Sequence, residues 1–226
     1  NFLTDPTFAS IGDALRNAID NGRDGLGTIV TFSSGNSRTV GQNVNYHSFQ
    51  SSQYTITVAA LDQDGGISYF STPGAAILVA APGSGIYTTD VTGSGGYNAG
   101  NYEFLSGTSF SSPAVAGVVA LMLEANPQLG YRDVQEILAY SSQNPTSSTS
   151  GWQTNGAFNW NGGGLTVSHD YGYGLVDAHA AVRLAETWIG QSTFDTLDSI
   201  SLTATPNAGI YDHSTTSSSL TFANGL

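Results

Sequence analysis

Apolar and polar positions alternate along the chain with two different periods. Phe8, Ile11, Leu15 and Ile19 recur at helical spacing, after Thr4-Asp5-Pro6, which offers a cap and a first-turn proline, and before Gly22 and Gly25, which stop the pattern. An amphipathic helix is predicted there. Residues 28–32, TIVTF, form a short β-branched and aromatic run that breaks at Ser33-Ser34-Gly35-Asn36, so a strand is expected to deliver a polar loop. YTITVAAL (54–61) and AAILVAA (75–81) are near-continuous apolar runs, as in strands covered by helices on both faces, and Asp64-Gly65-Gly66 and Ala81-Pro82-Gly83 read as turns. A Gly-rich loop (93–100) leads to a helix at 109–124 whose Ala/Val/Leu body predicts burial all round. Asn126-Pro127 breaks it, and 132–140 follows as a helix with Val134, Ile137 and Leu138 on one face.

Helices alternating with buried strands predict an α/β fold with a mostly parallel sheet flanked by helices. Residues 144–164 are Ser/Thr/Asn/Gly-rich and read as loop, after which Tyr171-Gly172-Tyr173-Gly174-Leu175-Val176-Asp177 introduces a last helix with Ala180, Val182, Leu184 and Ala185 ahead of Trp188. Beyond about Ile189 helical periodicity vanishes, and LTATP and SSLTF look like strands without partners. The expected organisation is one main domain over 1–190, then a linker and the opening of a truncated all-β segment over 191–226.

Composition narrows the function. Lysine is absent and the formal charge is −12, which disfavours nucleic acid and anionic membrane as partners, because both require clustered positive side chains. Cysteine is absent, which excludes disulfide and thiolate chemistry. The longest apolar run, 114–123, falls short of the roughly 20 residues of a membrane span. Asn1 begins without Met or a signal-peptide pattern, so a processed chain or a piece of a longer polypeptide is expected.

The chemistry concentrates in LSGTSFSSPAVAGVVAL, 105–121. Ser109 would stand where a helix N-terminus leaves amide N–H groups unpaired, with Pro113 in the first turn and Gly107 allowing close backbone approach. A serine hydroxyl attacks a carbonyl only when a base takes its proton and donors stabilise the oxyanion. The plainer reading of Ser109 is a helix cap, and that of Gly35-Asn36 a turn after a strand.

GTSFSSPAVAG resembles the nucleophile motif of the subtilisin-like serine proteases, and Asn36 in SSGN resembles that family's oxyanion-hole asparagine. GRDGLGTIVTFSSGN, YTITVAALDQDG, EANPQLGYRDVQ and SHDYGYGLVDAHAAVRLAETW look like the kexin and furin branch, the proprotein convertases, from about Phe8 to Trp188. TATPNAGIYDHSTTSSSLTF is similar to the start of the β-sandwich P domain that follows their catalytic domains. The resemblance implies a serine endopeptidase with Ser109 as acyl-forming nucleophile, Asn36 as oxyanion donor, and Ser33, Ser34, Gly35, His47 and Thr108 as substrate-binding residues. It implies a polypeptide substrate and a secreted or cell-surface setting, and the missing cysteines suggest a bacterial source.

Subtilisin-type triads run Asp, His, Ser along the chain. In this family the first two precede the oxyanion asparagine, and nothing resembling either lies between Asn1 and Asn36, so the chain alone is expected to be inactive and the N-terminal part of the catalytic domain is a potential partner. His47, His169, His179 and His213 each have a structural or solvated reading as the simpler one. Gln42-Asn43-Val44-Asn45-Tyr46-His47-Ser48-Phe49 replaces a convertase stretch of the type Asp-Asn-Cys-Asn-Tyr-Asp-Gly-Tyr, and Thr72 stands where those enzymes often have a calcium-binding Glu. No cofactor is needed for the chemistry, and the structural calcium of the family is expected to be weak or lost at Gln42 and Thr72, because hard cations gain affinity with carboxylate count. Asp62, Asp64 and Asp5 have the spacing of turns and a cap. A rival reading is a non-catalytic subtilase-fold module, since fold does not guarantee activity; a Rossmann nucleotide site is set aside because no Gly-x-Gly-x-x-Gly follows a strand.

Overall fold

A computed structural model of the chain describes residues 9–145, 151–156 and 164–197. The chain divides into two units, Asn1–Thr196 and Leu197–Leu226, and the elements below belong to the first. The Thr4-Asp5-Pro6 cap, Phe8, His213 and the tail beyond Leu197 lie outside the described residues.

Strands β1 (Val30–Ser33), β2 (Thr55–Leu61) and β3 (Ile77–Pro82) form a parallel sheet in that order. The β2 sequence TITVAAL is buried along its whole length, which its lack of charge permits. Period-two alternation sends Ile56 and Val58 to one core cluster and Ala59 and Leu61 to the other. Residues 173–176 continue the sheet beside β3, with Tyr173 N donating to Leu78 O, Ala80 N to Gly174 O and Val176 N to Ala80 O. Gly172, at φ 61°, lies so close to β3 that a Cβ would fall 2.2 Å from Leu78 O, so the YGYG turn requires glycine there.

Helices α2 (Thr108–Ala125), α3 (Tyr131–Ser141) and α4 (Ala178–Thr187) cover one face. Val115, Met122, Val134, Ile137, Leu138, Ala181 and Ala185 pack there against Ile56, Val58 and Val79, each fully or almost fully buried. Each large side chain in this layer contributes about 1.5–3 kcal/mol of burial. Asp177 starts α4 by accepting from Ala180 N at 2.9 Å. The second face is closed by loops where helices were expected: Val44 and Tyr171 sit on Ala59, Leu61 and Ile77, with Trp152 stacked on Tyr171 at 5.5 Å.

Helix α1 (Ala9–Asn21) buries only Ile19 among its described residues, while Ile11 is 46% exposed. A second correction concerns α2, which is not buried all round. Its stripe of Ser111, Val115, Val118, Val119 and Met122 is packed, but Pro113, Ala114, Ala116, Gly117, Ala120 and Leu121 face outward, Leu121 at 50% exposure. Its apolar residues surround the axis, so no period marks which stripe meets the sheet. At 18 residues and mean hydropathy 1.3 it has the length and composition of a membrane span, yet its inner face packs on all three strands of the sheet. Pro113 is the sixth helical residue and not in the first turn, so its ring faces the carbonyl four positions back, that of Ser109.

Two hairpins are additions to the sequence reading. β4 (Ile86–Thr89) pairs antiparallel with β5 (Tyr102–Leu105) around the Gly-rich loop, and β6 (Trp152–Thr154), inside the segment read as loop, pairs with β7 (Thr166–Ser168) just past it.

Candidate active site

The site forms where β1 and β3 end and α2 begins. At the end of β1, Ser34 N still donates to Val58 O at 2.9 Å, and Gly35, at φ 98°, then turns the chain away from the sheet. That left-handed backbone favours glycine, and Asn36 is thrown out to the surface after it. At the end of β3, Gly83 O accepts from Gly107 N at 2.7 Å and ties the helix entry to the sheet. A Cβ on Gly83 would fall 2.6 Å from Ala60 Cβ, so this close approach also needs glycine.

Gly107 is the N-cap of α2, Thr108 its first residue and Ser109 its second. The capping reading of Ser109 is therefore replaced: the orphan amide of Thr108 is satisfied from another loop, by Asn36 Oδ1 at 3.0 Å. The Thr108 hydroxyl donates to the same Oδ1 at 2.8 Å and accepts from Gly35 N at 3.2 Å. Since an N–H can only donate, the atom facing Thr108 must be the amide oxygen, and Asn36 Nδ2 is turned to the other side. Nδ2 and the backbone N of Ser109 both lie within 3.8 Å of one point, the place a Cβ on Gly107 would occupy. Ser109 itself is exposed, and its amide has no preceding helical carbonyl to bond.

The loop carrying Asn36 rests on residues 70–72. Thr72, 1% exposed, donates from N to Gly35 O and accepts at Oγ1 from Ser37 N, both at 2.9 Å. Arg38 N donates to Phe70 O, Arg38 Nε to Ser71 O, and the Arg38 guanidinium pairs with Asp170. Sequence reading missed Arg38, which lies in no motif that carries chemistry, and took Gly83 only as part of a turn. It took Thr72 only as a substituted position.

Among the residues expected to bind substrate, Ser33 is half-buried at the end of β1, and Ser34 is 1% exposed with its hydroxyl 3.4 Å from that of Ser71. Thr108 is also 1% exposed and spends its hydroxyl on Asn36 and Gly35. His47 is half-buried just past a helical turn, Val44–Tyr46. Its segment reaches the end of β1 through Gln50 Nε2, which donates to Ser33 O at 3.5 Å, and Phe49, stacked on Phe32 at 5.6 Å. Nearby, Asn43 Oδ1 accepts from Asn45 N and Asn45 Oδ1 from Ala76 N. His169 and His179 are exposed, Asp64 closes a turn on Gly66 N, and Asp62 accepts from the Ser68 hydroxyl.

A sequence profile of the subtilase family matches residues 5–174. The chain is 38% identical over 184 residues to a dibasic-processing endoprotease of Yarrowia lipolytica, covering 79% of this chain and 18% of that protein. It is 35% identical over 182 residues to human furin, covering 78% and 21% respectively. The chain thus spans about a fifth of the length of these relatives. The crystal structure of a serine protease of Aeromonas sobria superposes with a TM-score of 0.72 at 22% identity, over 82% of this chain and 41% of that one, which shows the shared fold. The profile, the alternating sheet and helices, and the meeting of the SSGN loop with the GTS helix agree: this chain belongs to the subtilase family, and within it is similar to the proprotein convertases.

Proposed function

We propose that the chain is part of a serine endopeptidase of the subtilisin and kexin type, which cleaves peptide bonds through an acyl-enzyme at Ser109. The observation that carries this is the nearness of two donor nitrogens, Asn36 Nδ2 and Ser109 N, to one point beside the exposed Ser109. Ser109 Oγ attacks the peptide carbonyl carbon and its proton passes to a histidine from the part of the catalytic domain upstream of this chain, oriented by an aspartate. The carbonyl oxygen becomes an oxyanion held by the two donors. Collapse breaks the C–N bond, the amine takes the proton, and water then hydrolyses the ester. Without that base the isolated chain is inactive.

Ser33 and Gly35 form the wall of the primary pocket, with the buried Ser34 supporting it from behind and His47 toward its floor. A guanidinium without a paired carboxylate is poorly desolvated, so cleavage after Arg is less strict than a dibasic-processing enzyme requires. The calcium position is weak or lost: the Thr72 hydroxyl is occupied by Ser37 N–H, and the Asn43 and Asn45 carbonyls by backbone amides. Residues 191–226 lead into a P domain, and the protein works outside the cell or at its surface.

The test is labelling by a fluorophosphonate. The full-length protein takes one equivalent at Ser109 and hydrolyses peptides, Ser109→Ala abolishes both, and the 226-residue chain takes none. A full-length protein inert to the probe would make the fold a non-catalytic module.

A further inference from the structure

Asn36 is held at two levels. Its side chain is fixed by Thr108, but the backbone that carries it is fixed by another residue. Thr72 straddles the asparagine: its N–H donates to the carbonyl of Gly35, one residue before, and its Oγ1 accepts from the N–H of Ser37, one residue after, both at 2.9 Å. Thr72 is 1% exposed, so its side of both bonds is shielded from water. A Cβ on Gly35 would fall 3.2 Å from Thr72 Oγ1, so the two chains run in close contact at this point. The neighbouring bonds from Arg38 N to Phe70 O and from Arg38 Nε to Ser71 O keep the track aligned beyond Ser37.

We propose that Thr72 is a positioning residue for the reaction, holding the two peptides that flank Asn36 so that Nδ2 reaches the oxyanion. This rests on the reading of Asn36 as an oxyanion donor. The physical reason is that an oxyanion donor must stand about 2.7–3.1 Å from an oxygen that moves as the carbonyl becomes tetrahedral, so a pivoting backbone loses transition-state contact first. Removing Oγ1 leaves Ser37 N–H without an acceptor in a partly buried setting and frees the Asn36–Ser37 peptide to pivot about the Thr108 contact. Gly35, in the pocket wall, keeps its bond from Thr72 N–H when the hydroxyl is removed, so the loss falls on turnover.

The experiment compares Thr72→Val, Thr72→Ser, Asn36→Ala and the Thr72→Val/Asn36→Ala double variant in the full-length protein, with peptide hydrolysis read as kcat and KM. Thr72→Val is expected to lower kcat about tenfold with KM within about twofold, Thr72→Ser to restore it, and the valine to cost almost nothing once Asn36 is already alanine. If Thr72→Val does not fold, Thr72→Ala removes the same hydroxyl without added bulk and is read in the same way. An Asn36→Ala loss accompanied by an unchanged Thr72→Val overturns the role of Thr72 alone. A Thr72→Val loss that persists in the Asn36→Ala background does so too. If Asn36→Ala itself leaves kcat unchanged, the oxyanion reading falls and this proposal with it.

Discussion

Thr108 grips the side-chain oxygen of Asn36 twice, from its amide at 3.0 Å and its hydroxyl at 2.8 Å, across 72 positions of sequence. Both residues would be ordinary turn and helix-start residues apart. Together they fix the carboxamide so that its Nδ2 is turned away from Thr108.

Thr108→Val in the full-length protein removes one of those two bonds and leaves the amide bond in place. We expect kcat to fall about tenfold and KM to change little, while Thr108→Ser stays near wild type. Asn36→Ala should cost about 10²–10³ in kcat, a magnitude measured for such a donor in another subtilase. Steady-state kinetics on one peptide substrate checks all three.

Gly107→Ala places a methyl group 3.3 Å from Asn36 Nδ2 on an extended backbone that alanine adopts freely. The variant should fold, with a Tm within roughly 3 °C of wild type, yet hydrolyse peptide at least about tenfold more slowly because the donor is displaced. Unchanged turnover would mean that the amide does not face this point.

The two sides of α2 should respond differently to truncation in the 226-residue chain. Met122 is fully buried, so Met122→Ala should cost about 2–5 kcal/mol, whereas half-exposed Leu121→Ala should stay within about 0.5 kcal/mol. Urea unfolding of both variants measures this. Equal losses would show that the outer side of the helix is covered.

Asp133 is fully buried and accepts from Gly130 N at 2.7 Å, Ser192 N at 2.9 Å and Trp188 Nε1 at 3.1 Å. It joins the start of α3 to the chain after α4. Asp133→Ala leaves three donors unsatisfied and should destabilise the chain by about 3–5 kcal/mol, with protease cutting after Trp188 well before the core opens. Thermal unfolding and limited proteolysis read the two effects separately.

Much of this was legible in the residues. TITVAAL could only be a strand in a covered sheet, and Phe32-Ser33-Ser34-Gly35 could only be a strand running out into a turn. The β4–β5 hairpin was not read, because Leu105 breaks the alternation of Tyr102, Glu103 and Phe104 and the long Gly-rich tip separates the two strands. The β6–β7 pair could not be read, because WQT and TVS lack the length of a periodic signal and exist only by pairing with each other. The covered side of α2 and the hydroxyl clamp of Thr72 depend on neighbours distant in sequence.

By itself the order of residues determined the alternation of strand and helix, the glycines where backbone must turn or touch, and the motifs that place this chain among the subtilases. These are local consequences of periodicity and of missing Cβ atoms. Only the tertiary structure decided which side of α2 is covered and which hydrogen bonds hold Asn36, because such contacts join residues far apart in the chain, and no local spacing encodes the distance between them.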